Sequence, residues 1–348
     1  MEWNFRGMET QVQPTGVPVR RRPKRGGRLI KIGLAAIILV LLGYLTLFLL
    51  VLPQRPDYPL FQNTDHPLVI AHRGGASIAP ENTLVAFERA MQLGVDMIEL
   101  DVQISRDGHL VVIHNETVDL TTDGEGLVTE LTLAQLQSLD AAYHFQDIRG
   151  HYIYRNQGIT IPALEEVFQQ FPQARLLIDV KVPSEKGEEK EEVLPREVLE
   201  GKSVEKLLAE KLWNLIDQYG FHEQVAVASL NDQFIQQFQM VSEGKIPVIA
   251  GQQEATRFVF LNKLFLDRLY RPRADVLALP AAYNIINLQG QRLIDGAHRF
   301  NMPILYWTIN EEETIRTLIE RGADGIVTDR PDLMIRILNE MEEFNGHN

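Results

Sequence analysis

From Leu68 to Thr328 the chain alternates short apolar β-type segments with helical patterns, and this restricts the fold more than its composition does. The candidate strands are Leu68–His72, Met97–Gln103, Leu176–Lys181, Val225–Ser229, Pro247–Ala250, Val276–Leu279, Ile304–Ile309 and Gly325–Thr328. Helices fill the gaps. Asn82-Thr83 opens one, with Leu84, Phe87, Ala90 and Met91 at helical spacing. Val204–Tyr219 and Glu311–Arg321 are others, the last stopped by Gly322. Such alternation signals a parallel sheet with helical crossovers, and eight staves are what a closed (β/α)8 barrel of the TIM type requires. A ninth apolar segment, Leu110–His114, follows the second strand after only Ser105–His109. That link is too short for a crossover helix and predicts an antiparallel hairpin turning at Asp107-Gly108. No internal repeat is evident. The stretch 183–203, PSEKGEEKEEVLPREVLEGKS, is dense in Glu and Lys and reads as a solvated insertion.

With 348 residues the chain can bury one large core, enough for a barrel of about 250 residues or more. Its net charge of −13 is unevenly spread: residues 1–31 hold eight Lys/Arg against two Glu, so the remainder carries −19. A main domain this acidic argues against nucleic-acid binding. The absence of cysteine excludes disulfides and thiolate metal sites. Ile32–Leu52 is an uncharged apolar run of 21 residues, long enough as a helix to span roughly 30 Å of hydrocarbon. Seven basic residues between Arg20 and Lys31 precede it, and Asp57 and Asp65 follow. The positive-inside rule predicts a cytoplasmic N-terminus, a single membrane pass and an extracytoplasmic main domain. A cleaved signal peptide would have a shorter apolar region and a small-residue cleavage site; this run leads instead into Pro53-Gln54-Arg55-Pro56. The expected organisation is a basic tail (1–31), a transmembrane helix (32–52), a tether (53–66) and a barrel domain (67–340).

Glu99 and Asp101 lie two apart in the segment MIELDV, so both side chains point to one strand face. Two carboxylates held there repel each other unless protonated or bridged by a cation, and hard oxygen ligands favour Mg²⁺ or Ca²⁺. Asp179 and Lys181 share one face at the end of another strand, where barrel active sites lie. His72 and His114 end the apolar segments LVIAH and LVVIH. The expected hairpin sets His114 across from Asp101, or from Glu99 with a slightly different loop, bringing an imidazole suited to proton transfer beside the carboxylates. The fork of donors on Arg73 suits two phosphate oxygens. Gly74-Gly75 is expected to let the backbone approach a ligand, Asn82 to cap the following helix, and Glu81 to orient Arg73 or neighbour a ligand. Trp307, near the mouth, is expected to wall a pocket.

The segment 71–115, AHRGGASIAPENTLVAFERAMQLGVDMIELDVQISRDGHLVVIHN, joins HRG and PENT to E-x-D-V, DG and V-x-x-H. This long pattern resembles the glycerophosphodiester phosphodiesterase family. ITIPALEEVF (159–168), YWTIN (306–310) and GADGIVTDRPD (322–332) extend the likeness in patches from Val69 to Asp332. The resemblance implies a barrel of the phospholipase C-like phosphodiesterase kind. It implies a divalent cation held by Glu99, Asp101 and Asp179, the last standing where the family usually has Glu. His72 and His114 would be general acid and base, with Arg73 and Lys181 on the phosphate. Asn115 stands where the family commonly has Asp. The implied reaction cleaves glycerophosphodiesters to glycerol 3-phosphate and an alcohol. An anchored domain raises the alternative of a lysophospholipase D acting on membrane lysophospholipids, to be decided by a hydrophobic groove beside the mouth. A barrel that only binds phosphodiesters is disfavoured because both histidines are present.

Overall fold

The structure, a computed structural model, describes residues 25–47, 49, 51–62, 65–183 and 194–345. The chain divides into two compact units, Met1–Leu50 and Val51–Asn348. Among its described residues the first contains one helix, Arg25–Leu47. It starts earlier and stops sooner than the expected 32–52. Its share of the apolar run, Ile32–Leu47, rises only about 24 Å, short of a bilayer's hydrocarbon core. Among the described residues no helix is long and apolar enough to cross a membrane, so the expected transmembrane helix is not found.

In the second unit the strands are β1 (Leu68–Ala71), β2 (Met97–Ile104), β3 (Leu110–Val112), β4 (Leu176–Val180), β5 (Val225–Ala228), β6 (Leu277–Pro280), β7 (Ala282–Tyr283), β8 (Ile286–Asn287), β9 (Ile304–Trp307) and β10 (Gly325–Thr328). Seven of them form a parallel run in the order β5-β4-β2-β1-β10-β9-β6. The expected eighth stave, 247–250, is held by single bridges, Val227 to Val248 and Ile249 to Val276. Its backbone bonds, Val227 N to Pro247 O (3.0 Å) and Ala250 N to Val276 O (2.8 Å), close the ring between β5 and β6. Pro247 brings no N–H to a ladder, which weakens this stave locally.

β3 does turn back antiparallel on β2 through Gly108, whose φ of +82° suits the tight turn. Its register, however, pairs Ile104 with Leu110 and Val102 with Val112. Ile113, not His114, therefore faces Asp101, and Ile113 N donates to Asp101 O (3.0 Å). The ladder ends at Val112, where the chain turns away. The segment from His114 to Ala163 builds a small core of its own from Val118, Val128, Leu136, Ile159 and Ile161.

Strand alternation divides the core into two shells. Inward-facing Ile70, Met97, Leu177, Ile249, Leu305 and Val327 fill the barrel. Outward-facing Val69, Ile98 and Leu100 pack with helix residues such as Phe87 and Leu212. The inward column of β2 runs Met97, Glu99, Asp101, Gln103, from apolar to polar towards its C-terminal end. Gly74 serves this packing as well. A Cβ there would lie 2.8 Å from Ala86 Cβ and Phe87 Cδ1. The glycine thus admits the helix Leu84–Leu93, rather than a ligand as expected.

At the N-terminal end of the barrel one arrangement occurs three times. Asp96, Asp275 and Asp324 each precede a strand, and each exchanges two hydrogen bonds with one residue of the neighbouring stave. Val69, Val248 and Ile304 donate N–H to the respective carboxylates at 2.8, 3.0 and 2.7 Å. Each of the three also accepts the aspartate's own N–H on its carbonyl. Asp275 is in addition paired with Arg55 (2.5 Å). Residues 53–61, part of the expected tether 53–66, are fastened here. Arg55 N donates to Phe300 O (2.9 Å), Asn301 binds Arg55 O and Asp57, and buried Leu60 joins the inner core. In the charged insertion, 184–193 lie outside the described residues. Leu194 is buried and Arg196–Leu199 form a helical turn, so that end is not a wholly solvated loop.

Replacing Asp275 by Ala would leave Val248 N and the Arg55 guanidinium without their acceptor at the closing seam. The expected cost is about 2–3 kcal/mol of stability, read as a lower midpoint in urea or thermal unfolding. Turnover per folded molecule should be unchanged, because the seam lies at the end remote from the polar residues of β2. An unaltered midpoint would show that this seam does not need the aspartate.

Candidate active site

A cavity of about 230 Å³ opens at the C-terminal end of the barrel, lined by His72, Arg73, Glu99, Asp101, His114, Asp179, Lys181 and Trp307 among others. All of the expected catalytic, phosphate and metal residues therefore converge on one place. Glu81 stands behind Arg73 and accepts its Nη1–H (2.8 Å), the orienting contact expected of it.

Register explains the acidic cluster. β2 and β4 run parallel with Asp101 directly beside Asp179, and Glu99 is one inward position below Asp101. One carboxylate oxygen from each of the three lies within 4.8 Å of the others. Glu99 and Asp101 are buried, Asp179 partly so. Burial first, and then the charge of Asp101, raise the Glu99 carboxyl well above the usual carboxylate range. Burial would raise Asp101 too, but Lys181 and Arg73 outweigh it and hold Asp101 below that range. Lys181 Nζ lies 2.6 Å from Asp179 Oδ2 and 2.9 Å from Asp101 Oδ1. Against the penalty of burial, those two carboxylates hold its ammonium strongly protonated.

Arg73 takes a left-handed φ of +52°. Its backbone N–H thereby reaches Glu99 Oε2 (2.8 Å) while its side chain stays in the cavity. Arg73 Nε is buried and 3.2 Å from Asp101 Oδ2, yet has no aligned acceptor. Asn82 does not cap the helix as expected: Thr83 does, accepting from Ala86 N (3.2 Å). Asn82, at φ +57°, instead clamps Asp101, donating to Oδ2 (2.8 Å) and accepting Asp101 N–H on Oδ1 (3.1 Å).

The two histidines are held by different partners. His72 Nδ1 lies 2.6 Å from Asp329 Oδ1. Asp329 is held below the usual carboxylate range, burial being outweighed by the His72 contact. An ionised carboxylate only accepts, so Nδ1 carries the proton and Nε2 faces the cavity, 4.0 Å from Glu99 Oε2. Although burial lowers the His72 pKa, Asp329 and Glu99 raise it overall. Asn310 completes the bracket, donating to Asp329 Oδ2 (2.6 Å) and accepting Asp329 N–H (2.9 Å). His114 Nδ1 lies 2.9 Å from the amide oxygen of Asn115, which leaves Nε2 free there too. Buried Gln103, from the inward face of β2, binds the carbonyls of His114 (3.0 Å) and Asn115. It turns the chain after β3 so that His114 reaches the cavity despite the shifted register.

Sequence reading assigned no role to Asp329, Asn310 or Gln103 and gave Asn82 another. Their signals were present: Asp329 and Asn310 follow strand ends, and Gln103 shares the Glu99–Asp101 face.

A closed (β/α)8 barrel whose mouth gathers two histidines, two cations and an acidic triad has the equipment of a phosphoric diester hydrolase. Residues 72–333 match the model of the glycerophosphoryl diester phosphodiesterase family. A glycerophosphodiester phosphodiesterase of Caldanaerobacter subterraneus subsp. tengcongensis is 34% identical over 279 residues, covering 78% of this chain and 98% of that protein. Among solved structures, a glycerophosphodiester phosphodiesterase of Agrobacterium tumefaciens superposes with a TM-score of 0.58 at 24% identity, covering 78% of this chain and 98% of its own. An Oleispira antarctica phosphodiesterase, in complex with the product sn-glycerol-3-phosphate, gives 0.58 at 24% identity, covering 79% and 97%. The chain belongs to the glycerophosphoryl diester phosphodiesterase family and is a glycerophosphodiester phosphodiesterase.

Proposed function

We propose that the enzyme cleaves glycerophosphodiesters to glycerol 3-phosphate and an alcohol with the help of a divalent cation, Mg²⁺ or Ca²⁺, held by Glu99, Asp101 and Asp179. The observation that carries this reading is the clustering of three carboxylates at the floor of a cavity that also receives both histidines. The donor set fits such an ion: hard oxygens, close together and two of them buried. When bound, the cation supplies charge neutralisation and polarisation of a phosphoryl oxygen.

The protein's own groups do the rest. Arg73 and Lys181 bind the remaining phosphate oxygens. One histidine Nε2 takes the proton of the nucleophile, which is either water or the glycerol 2-hydroxyl. The other Nε2 gives a proton to the leaving alcohol. Asp329 keeps His72 in the tautomer and orientation this needs, an arrangement that resembles the aspartate–histidine pair of serine hydrolases. The product complex of the Oleispira antarctica relative supports glycerol 3-phosphate as the retained half. The apolar wall of the cavity favours a second reading, lysophospholipase D action.

For location we infer a membrane-associated enzyme with a cytoplasmic N-terminus and an extracytoplasmic barrel, an arrangement that needs the whole apolar run 32–52 for the crossing because its helical part alone is too short. The apolar side chains from Ile32 to Leu45 are exposed along their helix, and seven basic residues precede the run. Protease added to intact cells should then remove the barrel and leave a membrane fragment. Digestion only after permeabilisation would reverse the assigned side.

Exhaustive chelation should abolish turnover of glycerophosphocholine and lower the thermal midpoint, with Mg²⁺ or Ca²⁺ restoring both. Asp179→Glu should keep metal affinity and Asp179→Ala should weaken it, as read by calorimetric titration. Full activity in chelator would eliminate the metal-assisted mechanism.

Asp329→Asn keeps the shape of the His72 bracket but offers its imidazole an amide in place of a carboxylate. Turnover should fall by about 10²–10⁴-fold, the range that acid–base catalysis contributes, and His72→Ala in the same background should add little further loss. Multiplicative losses in the double variant would mean that Asp329 acts independently of His72.

A further inference from the structure

Two adjoining segments on one flank of the barrel combine exposed apolar side chains with positive charge. The first is the helix Gln252–Lys263 with the loop after it, which together link the stave 247–250 to β6. Arg257, Phe260 and Leu264 recur there at helical spacing, and all three are exposed. The second is the β7–β8 hairpin, where Ile285 at the tip is 100% exposed. Lys263 Nζ donates to Asn287 O at the foot of the hairpin (2.9 Å), so the end of the helix and the hairpin meet.

Single exposed apolar residues are ordinary, but Phe265 is not ordinary. It sits just past the helix with a φ of +61°, a position where glycine is the usual residue because a Cβ is disfavoured. Its ring is nevertheless 58% exposed, so burial does not offset the strained backbone. The Arg292 guanidinium lies over that ring, 4.0 Å from its centre.

The charge around these side chains is one-sided. Residues 251–273 include five basic and two acidic side chains. Both acids are buried and engaged. Glu254 accepts from Tyr270 Oη (2.8 Å) and Arg273 N (2.6 Å), and Asp267 pairs with Arg292 (2.8 Å) and Arg299 (2.7 Å). The charges left at the surface of this stretch are therefore basic, among them Arg257, Lys263, Arg271 and Arg273. Arg257 Nη2 donates to Arg271 O (3.3 Å), which sets these two side by side. This reversal of sign stands out on a chain whose residues beyond 31 carry −19. Cations beside exposed aromatic and aliphatic groups complement the two layers of an anionic bilayer, phosphate outside and hydrocarbon within.

We propose that this flank is a docking surface for an anionic lipid bilayer. Phe260, Leu264, Phe265 and Ile285 enter the headgroup layer, and the basic side chains hold the lipid phosphates. It is a contact made by the barrel itself, separate from the helix Arg25–Leu47, and it does not depend on the reading of the active site.

Because the chain has no cysteine, Ile285→Cys and Gln92→Cys can each carry a single environment-sensitive nitrobenzoxadiazole dye. Gln92 is exposed on the helix Leu84–Leu93, which links β1 to β2 on the far side of the ring. The full chain is held at one copy per nanodisc, in phosphatidylcholine alone or with phosphatidylglycerol added. Emission at 285 should rise with phosphatidylglycerol and be quenched by nitroxide-labelled acyl chains, whereas emission at 92 should do neither. A basic side chain near an anionic surface is worth about fivefold, so Arg271→Gln with Arg273→Gln should weaken docking about 25-fold. Phe265→Gly should weaken it as well, with the thermal midpoint unchanged or higher because glycine relieves the left-handed backbone. A signal at 285 that ignores lipid charge, or an equal response at 92, would overturn the proposal. Full docking by both variants would also overturn it. Dimerisation through this flank in detergent, with 285 blind to lipid, would make it an interface between copies of the chain and not a lipid surface.

Discussion

Three carboxylates gathered at one end of an apolar barrel set the terms for the polar groups around them. Two unit charges about 4 Å apart repel by roughly 4 kcal/mol at the effective dielectric of a protein surface, and by more when buried. The surrounding side chains answer this repulsion. Lys181 bridges Asp101 and Asp179, Arg73 leans on Asp101, and Asn82 clamps the same carboxylate from both sides. Glu99, served by one backbone N–H and a distant His72, keeps its proton more readily. The charge pattern that suits a divalent cation is thus also the reason Arg73 and Lys181 are held in place.

The histidines show how such a site positions two similar groups differently. His72 is braced by a carboxylate that is itself fixed by Asn310, whereas His114 is braced by an amide. Both arrangements protonate Nδ1 and present Nε2. They differ in the charge behind the ring, and at His72 that charge stabilises an imidazolium. Asn115, an amide where a carboxylate stands behind His72, is the residue responsible for that difference.

The ends of the barrel divide the work. At the N-terminal end Asp96, Asp275 and Asp324 repeat one reciprocal backbone pairing, and residues 53–61 are strapped across it. These contacts serve stability. At the C-terminal end the same inward columns carry chemistry, as in barrel enzymes generally. Because the two sets of residues share strands but not neighbours, the hairpin and loops at the mouth can vary in what they recognise without disturbing the closure.

Strand positions were legible in the sequence because the signals are local: a period of two, turn residues, and crossover lengths. Seven of the eight expected staves appear as strands, and the eighth, at 247–250, as paired bridges. The pairing of Glu99 with Asp101 on one face follows from the same period. What the sequence could not supply was anything that depends on register or closure. Nothing local marks His114 as lying one residue out of the expected register, or Gln103 as the side chain that compensates. Asp329 is 257 residues from His72 along the chain, and only the docking of β10 against β1 makes them neighbours. Asn82 looked like a helix cap because capping is decided within a few residues, whereas its bond to Asp101 requires the preceding helical turn to fold over β2. The sequence by itself determined the staves and the chemical groups they carry. Closing the barrel decided which of those groups meet, because contacts across a closed sheet are set by register and packing over the whole ring.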